Sequence, residues 1–141
     1  MNQGPPRRRI RVVGAAIVDL QQGRVLIVRR PQWDVGAGFW EFPGGKIEAG
    51  ESSEQALQRE MDEELGISVE ILSDLGWIHH AYEQTDIELN VMICRHKSGT
   101  LVCKEADASE WVLPKDIPTE KLLSADRPFV QLIQDWMRNN V

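Results

Sequence analysis

The sequence predicts an α/β fold, in which a mixed β-sheet carries a helix on each face. Several β-branched runs are separated by turn-forming residues, as expected for a sheet. A helix with clear start and stop signals is expected over about residues 53–65, and an amphipathic helix over about 126–138. The 141 residues are enough for one such domain with a proper core.

The N-terminal part of the chain predicts a β-hairpin. Residues 12–18 and 25–28 are β-branched runs, and residues 21–23 between them are turn-like. Residues 31–38 are expected to form a surface loop. The Pro-Gly-Gly sequence at 43–45 then predicts a tight turn, whose glycines allow the backbone to come close to a ligand.

The central helix has recognisable ends. Ser52 followed by Gln55 is the pattern of a capping box, and Gly66 is a typical residue just after a helix. The helix should therefore extend from about residue 53 to residue 65. Its apolar stripe, which can pack on a sheet, consists of Leu57, Met61 and Leu65.

A neighbouring face of the same helix is acidic. Glu60, Glu63 and Glu64 are spaced i, i+3 and i+4, so they share one face and repel each other. Most charge runs are simply solvated faces. A divalent cation would remove the repulsion, because Mg2+ prefers oxygen ligands and usually keeps substrate phosphates in its coordination shell. The acidic face therefore favours a metal site for a diphosphate-containing substrate.

Further strands and a last helix are expected after the central helix. The strands are predicted near residues 67–73, 76–82, 86–95, 100–104 and 109–113. The apolar side of the last helix consists of Phe129, Ile133, Trp136 and Met137.

The residues around the central helix follow a known pattern. From Gly45 to Ile67 the chain fills every fixed position of G-x5-E-x7-R-E-(apolar)-x-E-E-x-G-(apolar). This is the box of the Nudix hydrolases, and the chain resembles that family. The resemblance implies an α/β/α sandwich and water attack on a phosphorus of a nucleoside diphosphate linked to another group. It also implies Mg2+ as the cofactor, with Mn2+ as a substitute.

The resemblance assigns roles to individual residues of the box. Glu60 and Glu64 match the main metal ligands, while Glu51 and Glu63 match supporting ligands. The carbonyl of Gly44 matches a backbone ligand that precedes the box.

Arg59 matches the arginine that orients the box carboxylates through charge-assisted hydrogen bonds. The metals would neutralise phosphate charge, activate water and fix an in-line geometry. Arg59 is therefore included with Glu60, Glu63 and Glu64 in the predicted catalytic set.

The segment that enters the box narrows the resemblance. Residues 40–48, WEFPGGKIE, are similar to the MutT-type subfamily, which hydrolyses nucleoside triphosphates, often oxidised ones, to the monophosphate and pyrophosphate. Arg30 lies where this subfamily has an arginine near the nucleotide, so Arg29 or Arg30 is a candidate for phosphate or base contact. A solvated strand end is an equally reasonable interpretation. Glu41 and Lys46 are further candidates for substrate binding.

Glu105 precedes Trp111 by six residues, as in the MutT-type pattern. The resemblance makes Glu105 a general base or an auxiliary metal ligand. The alternative is an ordinary solvated loop charge.

Asp126 departs from the MutT-type pattern, because enzymes of that type selective for 8-oxoguanine carry asparagine there. An ionised aspartate only accepts hydrogen bonds, so it favours base edges with donors, as in cytosine and guanine. Relatives that act on cytidine nucleotides have aspartate at the matching position. Alternatively, Asp126 caps the last helix, since Asp is a favoured N-cap residue.

The composition of the chain limits the partners that it can bind and the cellular compartment in which it is expected. The net charge of −6 argues against a broad nucleic-acid surface, and no apolar run is long enough to span a membrane. The start of the chain lacks a signal-peptide core, so a cytoplasmic protein is expected. Residues 1–7 are expected to be a disordered basic arm and residues 8–141 one domain, which is a monomer or a homodimer.

The cysteines are expected to be reduced. Cys94 and Cys103 both lie in segments predicted as strands, and a tight turn at Ser98-Gly99 would let them face each other. Buried free thiols are the default interpretation in a reducing compartment.

Trp33 and Trp77 are candidates for stacking on a base, although core packing is the default expectation for each.

The leading hypothesis is hydrolysis of nucleoside triphosphates, standard or oxidised and of cytidine or guanosine type, in a nucleotide-pool sanitising or housekeeping role. Other Nudix substrates remain open: nucleoside diphosphate sugars, dinucleoside polyphosphates and RNA 5′ ends. A non-catalytic nucleotide-binding domain is the alternative from a different class, but such domains typically lose box glutamates and this chain keeps all four.

Overall fold

The computed structural model of the chain describes residues 7–141. Its strands are β1 (Arg8–Asp19), β2 (Arg24–Arg29), β3 (Trp40–Glu41), β4 (Gly44–Lys46), β5 (Ser68–Ala81), β6 (Thr85–Ser98) and β7 (Ala108–Val112). Its α-helices are α1 (Ser53–Leu65) and α2 (Phe129–Asn140). Three short 3-10 turns, Pro114–Asp116, Thr119–Lys121 and Ser124–Asp126, connect β7 to α2.

The sheet is mixed, as the sequence predicts. Strand order is β3-β2-β1-β6-β5, with β4 paired to β1 and β7 paired to β2. The central pair, β1 with β6, is parallel from Arg8 opposite Thr85 to Ile17 opposite Cys94, while the other pairs are antiparallel. The expected hairpin is present as β1 and β2, which meet at Asp19 and Arg24.

Each face of the sheet has its own core and its own helix. Successive residues of β1 point to opposite faces, so Ala15 packs on the α1 side and Ala16 on the α2 side. The α1 side includes Ala56, Leu57, Met61 and Leu65 of the helix. The α2 side includes Phe129, Val130, Ile133 and Met137. The α/β/α arrangement expected from the sequence is confirmed.

The predicted strand over residues 100–104 is absent from the described structure. Its backbone instead bonds to the C-terminal end of α1: the Val102 and Lys104 amides donate to the carbonyls of Leu65 and Glu64, both at 2.9 Å. These carbonyls have no partner within the helix, and the segment satisfies them. Cys94 and Cys103 therefore do not face each other across a hairpin, and the expectation of free thiols is confirmed, with Cys94 buried and Cys103 half-buried.

Two other boundaries differ from the prediction. The strands expected at 67–73 and 76–82 are one continuous strand, β5, with register shifts that accommodate Gly76 at φ +87°. The last helix begins at Phe129 rather than at 126, because residues 124–126 form a 3-10 turn and Pro128 occupies the N-cap position.

The N-terminal arm was predicted over residues 1–7, and residues 1–6 lie outside the described part. Arg7 Nε donates to Asp86 Oδ1 of β6 at 3.0 Å. In the described range, no helix is both long enough and apolar enough to cross a membrane.

Candidate active site

The beginning and end of α1 are formed as the sequence predicts. Ser52 accepts from the Gln55 amide at 3.1 Å, and the Gln55 side chain accepts from the Ser52 amide at 2.9 Å. Gly66 ends the helix at φ +69° and donates to the Asp62 carbonyl. These caps fix where the glutamates of α1 stand relative to the sheet.

Two glycines of β4 bring the sheet and α1 into close contact. A Cβ atom at Gly44 would lie 1.9 Å from the carbonyl oxygen of Val13, and one at Gly45 would lie 2.3 Å from Cδ of Glu60. Neither position has room for a side chain. The box glutamates are thus held directly against the backbone of the Pro-Gly-Gly turn.

Arg59 connects the carboxylates of the box. Its Nε and Nη2 bind the two oxygens of Glu51 at 2.7 and 2.9 Å, a bidentate pair. Its Nη1 binds Glu60 at 2.9 Å and Glu63 at 3.2 Å, and Nη2 also donates to the Lys46 carbonyl at 2.9 Å. This geometry agrees with the orienting role that the resemblance gives to Arg59.

The surroundings of the box glutamates shift their pKa values in opposite directions. Hydrogen bonds from Arg59 and from the Glu48 backbone lower the pKa of Glu51 to about 2. Burial raises the pKa of Glu64 to about 8, and the charges of Glu60, Glu41 and Glu105 raise it further, against a backbone hydrogen bond from Gly44. Burial also raises the pKa of Glu60. Glu51 therefore favours the ionised form, whereas Glu60 and Glu64 take up a proton more readily than a free glutamate does.

A cavity of about 370 Å3 lies beside the box, lined by residues of β1, β4 and β6, of the loops that follow β2 and precede β7, and of the end of α1. Among the predicted site residues, it is lined by Arg30, Glu41, Gly44, Lys46, Glu64, Glu105 and Asp126. Glu51, Arg59, Glu60 and Glu63 are not in the lining; Arg59 binds the three glutamates and donates to the carbonyl of Lys46, which is a lining residue.

Asp126 lies in the wall of this cavity and does not cap α2. The helix has no side-chain cap at its N-terminus. Asp126 Oδ2 instead accepts from the Phe42 amide at 2.9 Å, and only 7% of the residue is exposed. Burial raises the pKa of Asp126 to about 7, against the Phe42 hydrogen bond and with a further contribution from the charge of Glu41.

Glu41 and Arg30 form the neighbouring part of the wall. Arg30 Nε lies 3.6 Å from Glu41 Oε2, and Arg30 Nη2 donates to Asp34 at 3.1 Å. Burial raises the pKa of Glu41 to about 7, against the charge of Arg30. Two acids and one guanidinium therefore meet where a polar part of a ligand can bind.

The two candidate arginines have different surroundings. Arg30 lines the cavity, whereas Arg29 Nε is paired with Asp107 at 2.8 Å and its guanidinium lies 5.6 Å from the ring centre of Trp40. The Arg29–Asp107 pair ties the loop that carries Glu105 to β2.

The carboxylates of the box offer oxygen ligands, which fit a hard divalent cation. In residues 7–141 as described, no three acidic, histidine or cysteine side chains stand close enough together to hold a metal ion. Arg59 holds Glu51, Glu60 and Glu63, and the remaining acids repel one another. A cation would therefore have to draw Glu60, Glu64 and Glu105 together.

Two ionisable residues of the cavity lining, Asp34 and Cys103, were not predicted from the sequence. Asp34 pairs with Arg30 across an i, i+4 spacing, a signal that the sequence does contain. Cys103 lines the cavity close to Glu64, and nothing in the sequence pattern indicates this, because the segment reads as a strand.

Comparison with known proteins identifies the class. The NUDIX domain model matches residues 8–133, so the chain belongs to the Nudix family and is a Nudix hydrolase.

Within that family the chain is of MutT type. It is 36% identical over 119 residues to the CTP pyrophosphohydrolase of Escherichia coli K12, covering 84% of this chain and 87% of that protein. It is 37% identical over 99 residues to the 8-oxo-dGTP diphosphatase of Proteus vulgaris, covering 70% and 88%. The crystal structure of a MutT Nudix hydrolase from Burkholderia pseudomallei matches with a TM-score of 0.77 and 30% identity, over 88% of this chain and 97% of that one.

Proposed function

We propose that this protein hydrolyses nucleoside triphosphates to the monophosphate and pyrophosphate, with Mg2+ as cofactor and Mn2+ as a substitute. One observation carries the proposal: a single cavity joins acids of the Nudix box region, Glu64 and Glu105, to the buried acids Glu41 and Asp126. The first pair suits a metal-bound phosphate chain, and the second suits a polar base edge. We place this activity in the cytoplasm, in a nucleotide-pool sanitising or housekeeping role.

In this proposal, Glu60 and Glu64 are the main metal ligands. Glu51, Glu63, the Gly44 carbonyl and Glu105 complete the set of candidate ligands. A bound cation supplies charge neutralisation at the phosphates and activation of water. Arg59 keeps the carboxylates oriented, because its bonds to Glu51 and to the Lys46 carbonyl fix the guanidinium from two sides.

The remaining residues bind the substrate and move the proton. Lys46 and Arg30 line the cavity and are the cations available to the phosphates or the base. Glu105 lines the same cavity as Glu64, which supports a role either as the base that takes the proton from the attacking water or as an auxiliary metal ligand. Asp126 Oδ2 is bound to the Phe42 amide, so Oδ1 is the oxygen that can accept from a base.

We expect the preference for one base over another to depend on whether Asp126 is ionised or protonated. The ionised form accepts only, which favours the donor-bearing edges of cytosine or guanine, while the protonated form can also donate. Relatives named for CTP and for 8-oxo-dGTP both resemble this chain. We propose cytidine- and guanosine-type triphosphates as the substrates to test first.

The test is a product-release assay with and without Mg2+. The panel contains standard and oxidised ribo- and deoxyribonucleoside triphosphates, nucleoside diphosphate sugars, ADP-ribose, dinucleoside polyphosphates and 5′-triphosphorylated RNA. Monophosphate and pyrophosphate from a triphosphate would support the proposal, and reaction in H2 18O would identify the phosphorus attacked. Turnover of only the sugar, dinucleotide or RNA substrates would reject the proposed substrate class within the same chemistry. Nucleotide binding without any turnover would indicate a binding-only role.

Glu64→Gln is expected to lower kcat by at least about 100-fold, because the amide cannot replace an anionic metal ligand. The matched control is Glu110→Gln, an exposed glutamate of β7. Both variants should keep the wild-type melting temperature within a few degrees. Near-normal turnover by Glu64→Gln would move the chemistry away from the box.

A further inference from the structure

The loop between β2 and β3, residues 30–39, is closed by its own hydrogen bonds. The Arg30 amide donates to the Phe39 carbonyl at 2.9 Å, and the Gly38 amide donates to the Arg30 carbonyl at 3.2 Å. Inside the loop, Arg30 binds Asp34 at 3.1 Å, and Asp34 accepts from the Val35 amide at 2.8 Å. These hydrogen bonds fix the two ends of the loop to each other and also fix its central residues.

Trp33 lies at the tip of this loop and lines the cavity. It is 79% exposed, against 42% for Trp77 and 37% for Trp111, so the expectation of core packing is wrong for both Trp33 and Trp77. Trp77 has a partner, the Arg11 guanidinium 4.5 Å from its ring centre. Single exposed apolar side chains are ordinary on a protein surface. An exposed indole that lines the proposed substrate cavity, in contrast, can contact a bound substrate.

The cavity places Trp33 in a useful position relative to the polar groups. The cavity is lined by the acids Glu64 and Glu105 together with Arg30 and Asp126. Trp33 lines the same cavity, so its ring can reach a nucleotide whose phosphates and base both bind there. The cavity residues that face a base edge, Glu41 and Asp126, read hydrogen bonds but offer no aromatic surface. Trp33 can supply that surface, since every base has an apolar face on which an indole stacks.

We propose that Trp33 is a substrate-binding residue that stacks on the nucleobase and covers it in the cavity. The proposal rests on the proposed function in taking the ligand to be a nucleotide. Stacking adds affinity for any base, whereas Asp126 distinguishes between bases by hydrogen bonding. The Arg30–Asp34 pair positions the loop, so the ring is held near its binding position before the nucleotide arrives.

The test compares a ligand that has a base with one that lacks it. Binding of the nucleoside monophosphate product and of ribose 5-phosphate is measured by calorimetry for wild type, Trp33→Ala and Trp33→Phe. Trp33→Ala should weaken monophosphate binding roughly ten-fold, within the range for one stacked base, while Trp33→Phe should lose much less. Ribose 5-phosphate binding should not change.

The control is Trp111→Ala, which removes another partly exposed indole, one outside the cavity lining. It should leave monophosphate binding unchanged. Equal monophosphate affinity in wild type and Trp33→Ala would overturn the proposal, as would an equal loss for ribose 5-phosphate. Wild-type protein that binds no monophosphate would also overturn it.

Failure of the proposed function is a separate result. If wild type binds the monophosphate through Trp33 but releases no pyrophosphate from any triphosphate, the reaction is rejected and the stacking role stands. If triphosphates are hydrolysed and Trp33→Ala binds and turns over as wild type does, the reaction stands and the stacking role is rejected.

Discussion

Asp126 is a buried acid whose pKa is raised to about 7, so both of its protonation states are populated near neutral pH. The sequence-based interpretation considered only the ionised form, which accepts hydrogen bonds. The raised pKa adds the protonated form, which also donates. One residue can therefore present two different hydrogen-bonding patterns to a base, depending on pH.

Asp126→Asn should change the base preference. The amide fixes one donor and one acceptor, so we expect the ratio of kcat/KM values between cytidine and 8-oxoguanosine triphosphates to fall by roughly ten-fold at pH 8.5, about the value of one hydrogen bond to a charged group. The pH dependence of that ratio between 6 and 8.5 should also become smaller, with Glu41 as the remaining titrating acid at the proposed base edge. Asp116→Asn, an exposed aspartate in a 3-10 turn, is the control. An unchanged base ranking would show that Asp126 does not contact the base.

At the scale of elements, α1 and β4 form the part of the site that depends most on backbone position. The two glycines of β4 face different neighbours: Gly44 faces backbone of β1, and Gly45 faces the flexible end of Glu60. A methyl group at each position therefore has a different effect, although the two residues are adjacent.

We expect Gly45→Ala to reduce mainly activity and Gly44→Ala to reduce mainly stability. The new Cβ of Gly45→Ala displaces the Glu60 carboxylate, so we expect about a 10–100-fold loss of metal affinity and activity with a small change in melting temperature. The Cβ of Gly44→Ala meets the Val13 carbonyl, which cannot move without moving β1, so this variant should lose several degrees of melting temperature. Metal titration and thermal unfolding measure the two effects. Loss of stability in both variants with equal activity would contradict this assignment.

The elements that the sequence predicts well are those with local signals. The capping box of α1, its C-terminal glycine and its apolar stripe all lie within one short segment, and each is confirmed. Segment 100–104 has the composition of a strand, but its partners are helix carbonyls that no local pattern reveals. Likewise, the Phe42–Asp126 bond joins residues 84 positions apart, so only the assembled sheet shows that Asp126 enters the cavity wall.

At the scale of the whole molecule, the stability of the fold depends on two acids that share one cavity wall, Glu41 and Asp126. Glu41 and Asp126 both have pKa values raised to about 7, above their ordinary values near 4 in an unfolded chain. The folded protein therefore binds more protons than the unfolded chain between about pH 4 and 7. The stabilising effect of these protons is complete below pH 4 and is lost as the pH rises through 7.

We therefore expect the metal-free protein to melt at a lower temperature at pH 8 than at pH 5.5. In Asp126→Asn this difference should shrink but not vanish, because Asp126 has become a neutral amide that can still accept from the Phe42 amide, while Glu41 and Glu64 still titrate in this range. Differential scanning calorimetry with a chelator measures both proteins across the range. A melting temperature that rises steadily from pH 5.5 to 8 in the wild type would contradict the assignment of raised pKa values.

The parallel pairing of β1 with β6 has a consequence for how the protein is made. The first strand of the chain finds its central partner only at residues 85–94, beyond the whole catalytic box. A nascent chain that ends before β6 has left the ribosome can form α1 but cannot complete the middle of the sheet. Long-range parallel pairing of this kind also slows folding, because a long loop must close before its contacts form. Helix α1 is thus synthesised before β6, the strand that completes the middle of the sheet on which it packs.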